Sequence, residues 1–261
     1  TSNPSHSIEE AWEWKKAEYD SLLKDLFASL PADKQSEVMA LHDCYQTPPA
    51  EKTITGIWFT NSLPRGPDAN VGMLCPAVSR FNSSCKPNAM YSWVESFGAQ
   101  QVRAIRDIEV GEELCVCYID PRDTTAVRQR ELAKFNFSCT CETCLAADPS
   151  SDANRARIQK LDESVGRCGV THPDLALKLV EELVALHEKE CITIPQYMAR
   201  LMNDAFQISV AAGKPKAVVK GYAEKAYQLL VVGYGTHYEV AQMMKRFVDK
   251  PPRNPQEMIR V

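Results

Sequence analysis

Residues 139–144 read Cys-Thr-Cys-Glu-Thr-Cys, so three thiols lie within six positions. A structural zinc ion takes four ligands in a tetrahedron, with Zn–S distances of about 2.3 Å, and Cys139, Cys141 and Cys144 supply three of them. The fourth ligand has to come from another segment, and Cys85 is the best candidate. The chain has ten cysteines and no recognisable export signal, and in a reducing compartment such residues are more often metal ligands or buried small hydrophobes than disulfides. The spacing therefore predicts a zinc site.

A metal held by Cys85 and the three later cysteines would close a long loop of the chain. Such a link restricts the unfolded chain, and thiols bind the metal only in their ionised form, so folding and metal binding would be coupled. The same link would hold residues 80–88 against residues 135–144. We therefore expect these two distant segments to build one pocket.

Hydrophobic periodicity gives the chain a helical beginning and a β-rich middle. Between Ile8 and Tyr45 the apolar residues recur at helical spacing, with a break at Pro31. Between Thr53 and Cys144, Gly and Pro are frequent, and the short runs between them are rich in β-branched and aromatic residues. These runs predict strands at Ile54–Phe59, Ala89–Glu95, Gln101–Ile105 and Leu114–Ile119, followed by a helix at Asp123–Lys134.

The remainder of the chain is predicted to be helical. Small and polar residues at 146–153 favour a linker. After it, Pro173 and Pro195 are typical first-turn residues, and Gly233 is a candidate helix C-cap. Pro251-Pro252 ends the last periodic segment. Four or five helices joined by short turns indicate an array of α-hairpins.

Composition and charge restrict the classes of function. The chain has 261 residues, of which 44% are apolar and 25% charged, which is average for a soluble globular protein. No window approaches the 18 consecutive apolar residues of a membrane span. Thirty Lys and Arg against 34 Asp and Glu leave a net charge of −4, which gives no basis for binding nucleic acid or an anionic membrane. This charge is compatible with a basic peptide as partner.

Three motifs together resemble those of one enzyme family. Residues 80–88, Arg-Phe-Asn-Ser-Ser-Cys-Lys-Pro-Asn, resemble the R-(F/I)-N-H-S-C-x-P-N motif of SET-domain lysine methyltransferases. Residues 111–118, Gly-Glu-Glu-Leu-Cys-Val-Cys-Tyr, resemble their G-E-E-(L/I)-x-x-x-Y motif, and residues 135–144 resemble their post-SET zinc knuckle. Residues 60–64, Thr-Asn-Ser-Leu-Pro, are similar to a stretch of the SET-and-MYND branch and its fungal relatives. The order of the three motifs carries the resemblance.

The resemblance implies a role for each residue that matches a motif. It implies contact with S-adenosylmethionine for Asn61, Asn82, Ser83 and Phe137. It implies catalysis by Tyr118, and a channel for the substrate lysine lined by Tyr118 and Phe135. It implies that the four zinc ligands are Cys85, Cys139, Cys141 and Cys144.

Methyl transfer suits these residue types. The reaction is a displacement at a sulfonium, so most of the acceleration comes from alignment of amine, methyl group and sulfur. A tyrosine hydroxyl near the methyl group can orient the donor and stabilise developing charge. A narrow aromatic channel excludes water, which favours the neutral amine, and it attracts a methylated ammonium group by cation–π interaction.

Two departures from the family motifs bear on activity. Ser83 stands where the family has histidine, and a short hydroxyl cannot make the contacts of an imidazole. The family's Gly-x-Gly segment is missing before Ile8, since the first glycine is Gly56, and the MYND zinc module is missing too. With Thr1 as the first residue, these absences favour a truncated SET domain. The alternative is a naturally shortened, inactive relative.

The predicted fold class is α+β. A partial SET domain at 1–145 has a β core of short strands, a helical insert at 8–45 and a post-SET zinc knuckle at 135–144. A linker at 146–153 leads to an all-α, tetratricopeptide-like domain at 154–261.

The predicted function is an S-adenosylmethionine-dependent protein-lysine N-methyltransferase, with zinc as its structural metal. Its substrate would be a lysine-containing protein or peptide, which is either a histone or another protein. A protein partner would bind at the C-terminal helices, and neither nucleic acid nor a membrane is an expected partner. The predicted compartment is intracellular, nuclear or cytoplasmic. The alternative is a catalytically inactive, zinc-stabilised module that binds peptides or proteins. A zinc domain of another class would require Cys85 to lie far from the other three cysteines.

Overall fold

The computed structural model describes residues 8–46, 50–66, 71–169 and 171–259, with side chains from residue 18 onward. Helices occur at α1 Ile8–Ala28, α2 Ala32–Met39, α3 Ile54–Asn61, α4 Thr125–Ala133, α5 Glu142–Ala146, α6 Pro149–Cys168, α7 Pro173–Lys189, α8 Pro195–Ala211, α9 Lys216–Tyr234, α10 Glu239–Asp249 and α11 Pro255–Ile259. Strands occur at β1 Ser62–Pro64, β2 Gly72–Leu74, β3 Asn82–Ser83, β4 Ala89–Val94, β5 Ala99–Ala104 and β6 Cys115–Val116. The mixed α and β composition agrees with the predicted class. Within the described residues, no helix has the length and apolarity that a membrane span needs.

The structure separates into two compact units. The first unit holds the described residues up to Phe81 together with Lys134–Phe137. The second unit holds Asn82–Ala133 and the described residues from Ser138 onward. The predicted domain limits and the tetratricopeptide-like character of the last region stay predictions.

The first unit is mainly helical, with one small antiparallel sheet. The sheet pairs β1 with β2, with Leu63 opposite Met73. Helix α1 confirms the predicted helical spacing, but its apolar face is only partly covered. Leu23 is buried, whereas Leu22 and Leu26 remain 54% exposed. The periodicity therefore predicted the helix but not the extent of its packing.

The strand predicted at Ile54–Phe59 is wrong, because this segment forms helix α3. The Thr53 side chain caps the helix by accepting a hydrogen bond from the backbone N–H of Gly56 at 2.9 Å. The buried carboxylate of Asp43 accepts a hydrogen bond from the backbone N–H of Thr53 at 2.9 Å. Gly56 leaves room for this carboxylate, since a Cβ there would lie 2.3 Å from Asp43. These contacts outweigh the β propensity of the segment.

The second unit contains two of the predicted strands as a hairpin. Strands β4 and β5 pair antiparallel from Ala89 opposite Ala104 to Val94 opposite Ala99, which confirms both predictions. Gly98, with φ of 57°, takes the left-handed conformation in the turn. The strand predicted at Leu114–Ile119 is shorter, because only Cys115–Val116 pairs, in parallel with β3.

The helices of the second unit follow the proline signals. Pro173 and Pro195 are first-turn residues of α7 and α8, as predicted. Helix α6 begins at Pro149, inside the segment predicted as a linker, because Asp148 caps it by accepting a hydrogen bond from the backbone N–H of Ser150 at 2.8 Å. The predicted cap at Gly233 is wrong. Helix α9 continues to Tyr234, and its C-cap is Gly235, with φ of 89°.

The end of α9 contacts the β4–β5 hairpin. Arg103 donates a hydrogen bond from Nε to the carbonyl of Val232 at 2.8 Å, and Gln101 donates one from Nε2 to the carbonyl of Tyr234 at 2.9 Å. These side chains satisfy carbonyls that have no partner inside the last turn of a helix. Gly233 lies in the same turn, and a Cβ there would lie 2.9 Å from the Cβ of Pro195 and 3.0 Å from the Sδ of Met90. The hairpin and the helices are therefore one packed body.

Gly233→Ala is expected to destabilise the protein by about 1–3 kcal/mol, because the added methyl overpacks the contact with Pro195 and Met90. Gly221→Ala in the same helix is the matched control, since nothing lies within 4 Å of its added Cβ. That control is expected to stabilise by about 0.5–1 kcal/mol through helix propensity. Urea unfolding of both variants measures the difference. Equal effects would contradict the close packing at Gly233.

Candidate functional site

The first two motifs of the sequence meet in the parallel pair β3–β6. Asn82 lies opposite Cys115 and Ser83 lies opposite Val116. The hydroxyl of Ser83 accepts a hydrogen bond from the backbone N–H of Tyr118 at 3.2 Å. The residue that departs from the family motif therefore touches the backbone of the predicted catalytic residue. The pair brings Asn82, Ser83 and Tyr118 into one region of the second unit.

Asn88, the last residue of the first motif, fixes this pairing from inside. Its side chain is 1% exposed. Its Oδ1 accepts a hydrogen bond from the backbone N–H of Cys115 at 2.9 Å, and its Nδ2 donates one to the carbonyl of Glu113 at 2.8 Å. The same Nδ2 lies 2.9 Å from the carboxylate of Glu112. Asn88 is not among the predicted site residues, although its place in the motif was the available signal.

Glu112 connects Asn88 to the turn before the second motif. The Arg106 guanidinium donates hydrogen bonds to this carboxylate. These bonds and the bond from the Asn88 amide lower the pKa of Glu112 to about 2. The side chain is therefore ionised throughout the neutral pH range.

Tyr118 follows β6 and is 37% exposed. Burial of part of its ring raises the pKa of the Tyr118 hydroxyl, and the neighbouring Cys115 and Tyr91 raise it further. The pKa of Tyr91 is raised too, chiefly by burial. The hydroxyl of Tyr118 is therefore protonated at neutral pH, so it is available as a hydrogen-bond donor.

The sulfur atoms of Cys85, Cys139, Cys141 and Cys144 all lie within 4.8 Å of one another. The Sγ atoms of Cys85 and Cys144 are 3.6 Å apart, and none of the four thiols is in a disulfide. A tetrahedral zinc ion with Zn–S distances of about 2.3 Å places its sulfurs about 3.8 Å apart. Four thiols at this spacing fit such an ion. Cys85 is thus close to the other three, so the reading that needs it far away is wrong.

The thiols of the cluster differ in pKa, because burial and hydrogen bonding differ among them. Burial raises the pKa of Cys85, and it raises that of Cys139 to about 11. Burial also opposes ionisation of Cys141, but hydrogen bonds from the backbone of Cys85 and Cys144 outweigh it and lower its pKa to about 7. Cys141 therefore ionises most readily of these three.

Two residues of helix α4 support the cluster, and neither is among the predicted site residues. Gln129 binds the backbone of Cys139 twice, donating from Nε2 to its carbonyl at 2.8 Å and accepting at Oε1 from its N–H at 3.0 Å. Arg128 is fully buried, and its Nη2 lies 3.9 Å from the Sγ of Cys144. Helical spacing alone predicted the helix but could not indicate which side chains turn towards the thiols.

The other predicted site residues belong to the first unit. Asn61 ends helix α3 and is 8% exposed, and its Nδ2 donates to the carbonyls of His42 and Ile57, each at 2.7 Å. A contact between Asn61 and a cofactor would therefore use its oxygen. Phe135 is half-buried, Phe137 is 37% exposed, and Asn136 between them has a left-handed backbone with φ of 59°. The roles of all predicted site residues stay predictions.

Comparison with known proteins agrees with this arrangement. Residues 7–119 match the model of a family described as SET domain. This range contains the meeting of the first two motifs, from Asn82 to Tyr118. Residues 7–119 of the chain are a SET domain. The resemblance stated from the motifs is thereby confirmed.

Relatives of this SET-domain protein include named lysine methyltransferases. Histone-lysine N-methyltransferase set5 of Schizosaccharomyces pombe is 26% identical over 235 residues, covering 87% of this chain and 72% of the relative. Human histone-lysine N-methyltransferase SMYD3 is 37% identical over 113 residues, covering 43% of this chain and 24% of the relative. Zebrafish (Danio rerio) N-lysine methyltransferase SMYD2-B is 32% identical over 100 residues, covering 38% of this chain and 22% of the relative. The similarity therefore spans less than a quarter of the length of the last two proteins.

Asn88→Ala is expected to destabilise the SET domain by about 2–4 kcal/mol, because it removes three hydrogen bonds and leaves the N–H of Cys115 without its partner. The matched control is Asn82→Ala, which removes one exposed hydrogen bond, to Glu113, and is expected to cost less than about 1 kcal/mol. Guanidinium unfolding of the two variants tests this. Similar losses for both would contradict the anchoring role of Asn88.

Proposed function

We propose that this SET-domain protein is a protein-lysine N-methyltransferase that uses S-adenosylmethionine. The observation that carries the proposal is the pairing of β3 with β6, in which the Ser83 hydroxyl binds the backbone of Tyr118. This pairing joins the motif that is expected to bind the cofactor to Tyr118, which is expected to assist methyl transfer. The names of the related proteins support the same reaction class.

The chain's residues would act mainly by positioning. S-adenosylmethionine would supply an electrophilic methyl group on a sulfonium sulfur. A lysine amine that has lost its proton to water would accept this methyl group, and the electron pair of the carbon–sulfur bond would stay on sulfur. Tyr118, protonated at neutral pH, would orient the reacting groups and stabilise the changing charge.

The remaining predicted residues are proposed to bind the cofactor and the substrate. Asn61, Asn82, Ser83 and Phe137 are the proposed cofactor contacts. Phe135 and Tyr118 are the proposed walls of the lysine channel, where an aromatic lining would exclude water and favour the neutral amine. The substrate would be a lysine of a histone or of another protein.

We further propose that the four clustered thiols hold a zinc ion. Their spacing of at most 4.8 Å and their all-thiol chemistry support this metal. A tetrathiolate centre is closed, so the ion would have a structural role and no part in methyl transfer. It would join Cys85 to the segment Cys139–Cys144 and make the folding of the second unit depend on metal.

Full-length protein incubated with tritium-labelled S-adenosylmethionine and core histones, or a mixture of lysine peptides, is expected to transfer label to lysine. Tyr118→Phe is expected to lower kcat about a hundredfold, because it removes the hydroxyl that stabilises the transition state. Tyr222→Phe, a half-buried tyrosine in helix α9, is the matched control and should leave kcat unchanged. Circular dichroism checks that both variants fold.

The alternative, an inactive peptide-binding module, predicts a different pattern. Wild-type protein would then transfer no label, and calorimetry would detect no heat with S-adenosylmethionine at millimolar concentration. Peptide binding would survive Tyr118→Phe unchanged. The presence of Ser83 instead of histidine is the feature of the chain that favours this alternative.

Purified protein is expected to contain about one zinc ion per chain by plasma mass spectrometry. Cys141→Ser is expected to lower the zinc content and the thermal stability, because serine is a poor zinc ligand. Cys191→Ser, at an exposed cysteine outside the cluster, is the control and should retain the metal. Equal zinc content in the two variants would contradict the proposed site.

A further inference from the structure

Arg128 brings a buried positive charge to the cysteine cluster. It lies on helix α4 and is fully buried. Its Nη2 is 3.9 Å from the Sγ of Cys144. The thiol of Cys85 also interacts electrostatically with the guanidinium. These two thiols come from the two segments that the cluster joins.

The other neighbours of Arg128 do not neutralise it. Its Nη1 donates to the carbonyl of Asp123, and its Nη2 donates to the hydroxyl of Thr125 at 3.0 Å. Its Nε has no hydrogen-bond partner among the described residues. Within that same part of the chain, no carboxylate lies within ion-pair distance of Arg128, whereas the buried Arg155 has Glu190 at 3.5 Å. Arg128 is thus a buried cation whose nearest anionic groups would be thiolates.

A zinc ion held by four thiolates has the complementary charge. Two positive charges on the ion and four negative charges on the sulfurs leave two negative charges on the centre. Both that centre and an isolated guanidinium are unfavourable in a buried site unless each is paired with opposite charge. The guanidinium lies where it neutralises part of the charge of the centre.

We propose that Arg128 is a positioning residue for zinc. The positive charge of its guanidinium sets how tightly the four cysteines hold the ion. The proposal rests on the zinc site proposed above. Helix α6 fixes the position of Arg128, because Asp152 accepts hydrogen bonds from the backbone N–H of Thr125 at 2.7 Å and from its hydroxyl at 3.0 Å. Retention of zinc is thereby connected to the C-terminal helices.

Zinc competition with a chromogenic chelator, on full-length protein, tests the proposal. Arg128→Met is expected to weaken zinc affinity 10–100-fold, the range found when groups that support metal ligands are removed. Arg128→Lys keeps the charge and is expected to stay within a few-fold of wild type. Arg130→Met is the matched control on the same helix, since that side chain is 70% exposed and pairs with Glu131.

Each outcome decides the proposal. Unchanged affinity in Arg128→Met, or equal losses in Arg128→Met and Arg128→Lys, would overturn it while leaving the zinc site intact. Wild-type protein that binds no zinc would overturn both. Should Arg128→Met be unfolded as purified, zinc is added and circular dichroism is followed. Refolding at a zinc concentration at least tenfold above that of wild type supports the proposal, and any other response, including failure to refold, overturns it.

Discussion

The pairing of β3 with β6 depends on the buried amide of Asn88. A two-residue parallel pair such as β3–β6 has few ladder hydrogen bonds and is not stable by itself. The Asn88 side chain adds bonds to the carbonyl of Glu113 and to the N–H of Cys115, in a site closed to water. A buried amide with all its bonds made admits one register, because any shift would leave polar groups without partners. This register is what brings Ser83 to the backbone of Tyr118.

The segment after Tyr118 is held by the C-terminal helices. Asp120 and Arg122 form an ion pair at 2.6 Å, and the guanidinium of Arg122 lies 4.3 Å from the ring centre of Tyr197 in helix α8. The buried Arg155 of helix α6 donates to the carbonyl of Pro121 in the same stretch. Residues on both sides of Tyr118 are therefore restrained, which suits a side chain whose proposed work is to orient other groups.

The cysteine cluster and these helices belong to the same packed body. Helix α4 carries Gln129 and Arg128 to the thiols, while its first turn is bound to Asp152 of helix α6. The β4–β5 hairpin is bound in turn to the end of helix α9 through Arg103 and Gln101. The helical region thus contacts helix α4, the β4–β5 hairpin and the stretch Pro121–Arg122 of the same unit.

Local sequence signals determined much of this protein. The spacing of Cys139, Cys141 and Cys144 identified the cluster, and the order of the motifs identified the SET domain, because ligand spacing and motif residues are local properties of the chain. Prolines at 173 and 195 marked helix starts for the same reason. Only the tertiary structure decided the helix at Ile54–Asn61, where the distant Asp43 outweighs β propensity, and the charge of Arg128 beside the thiols. Both depend on partners ten or more residues away, beyond the reach of helical or strand spacing, and periodicity carries no information about which of these side chains will fill a buried site.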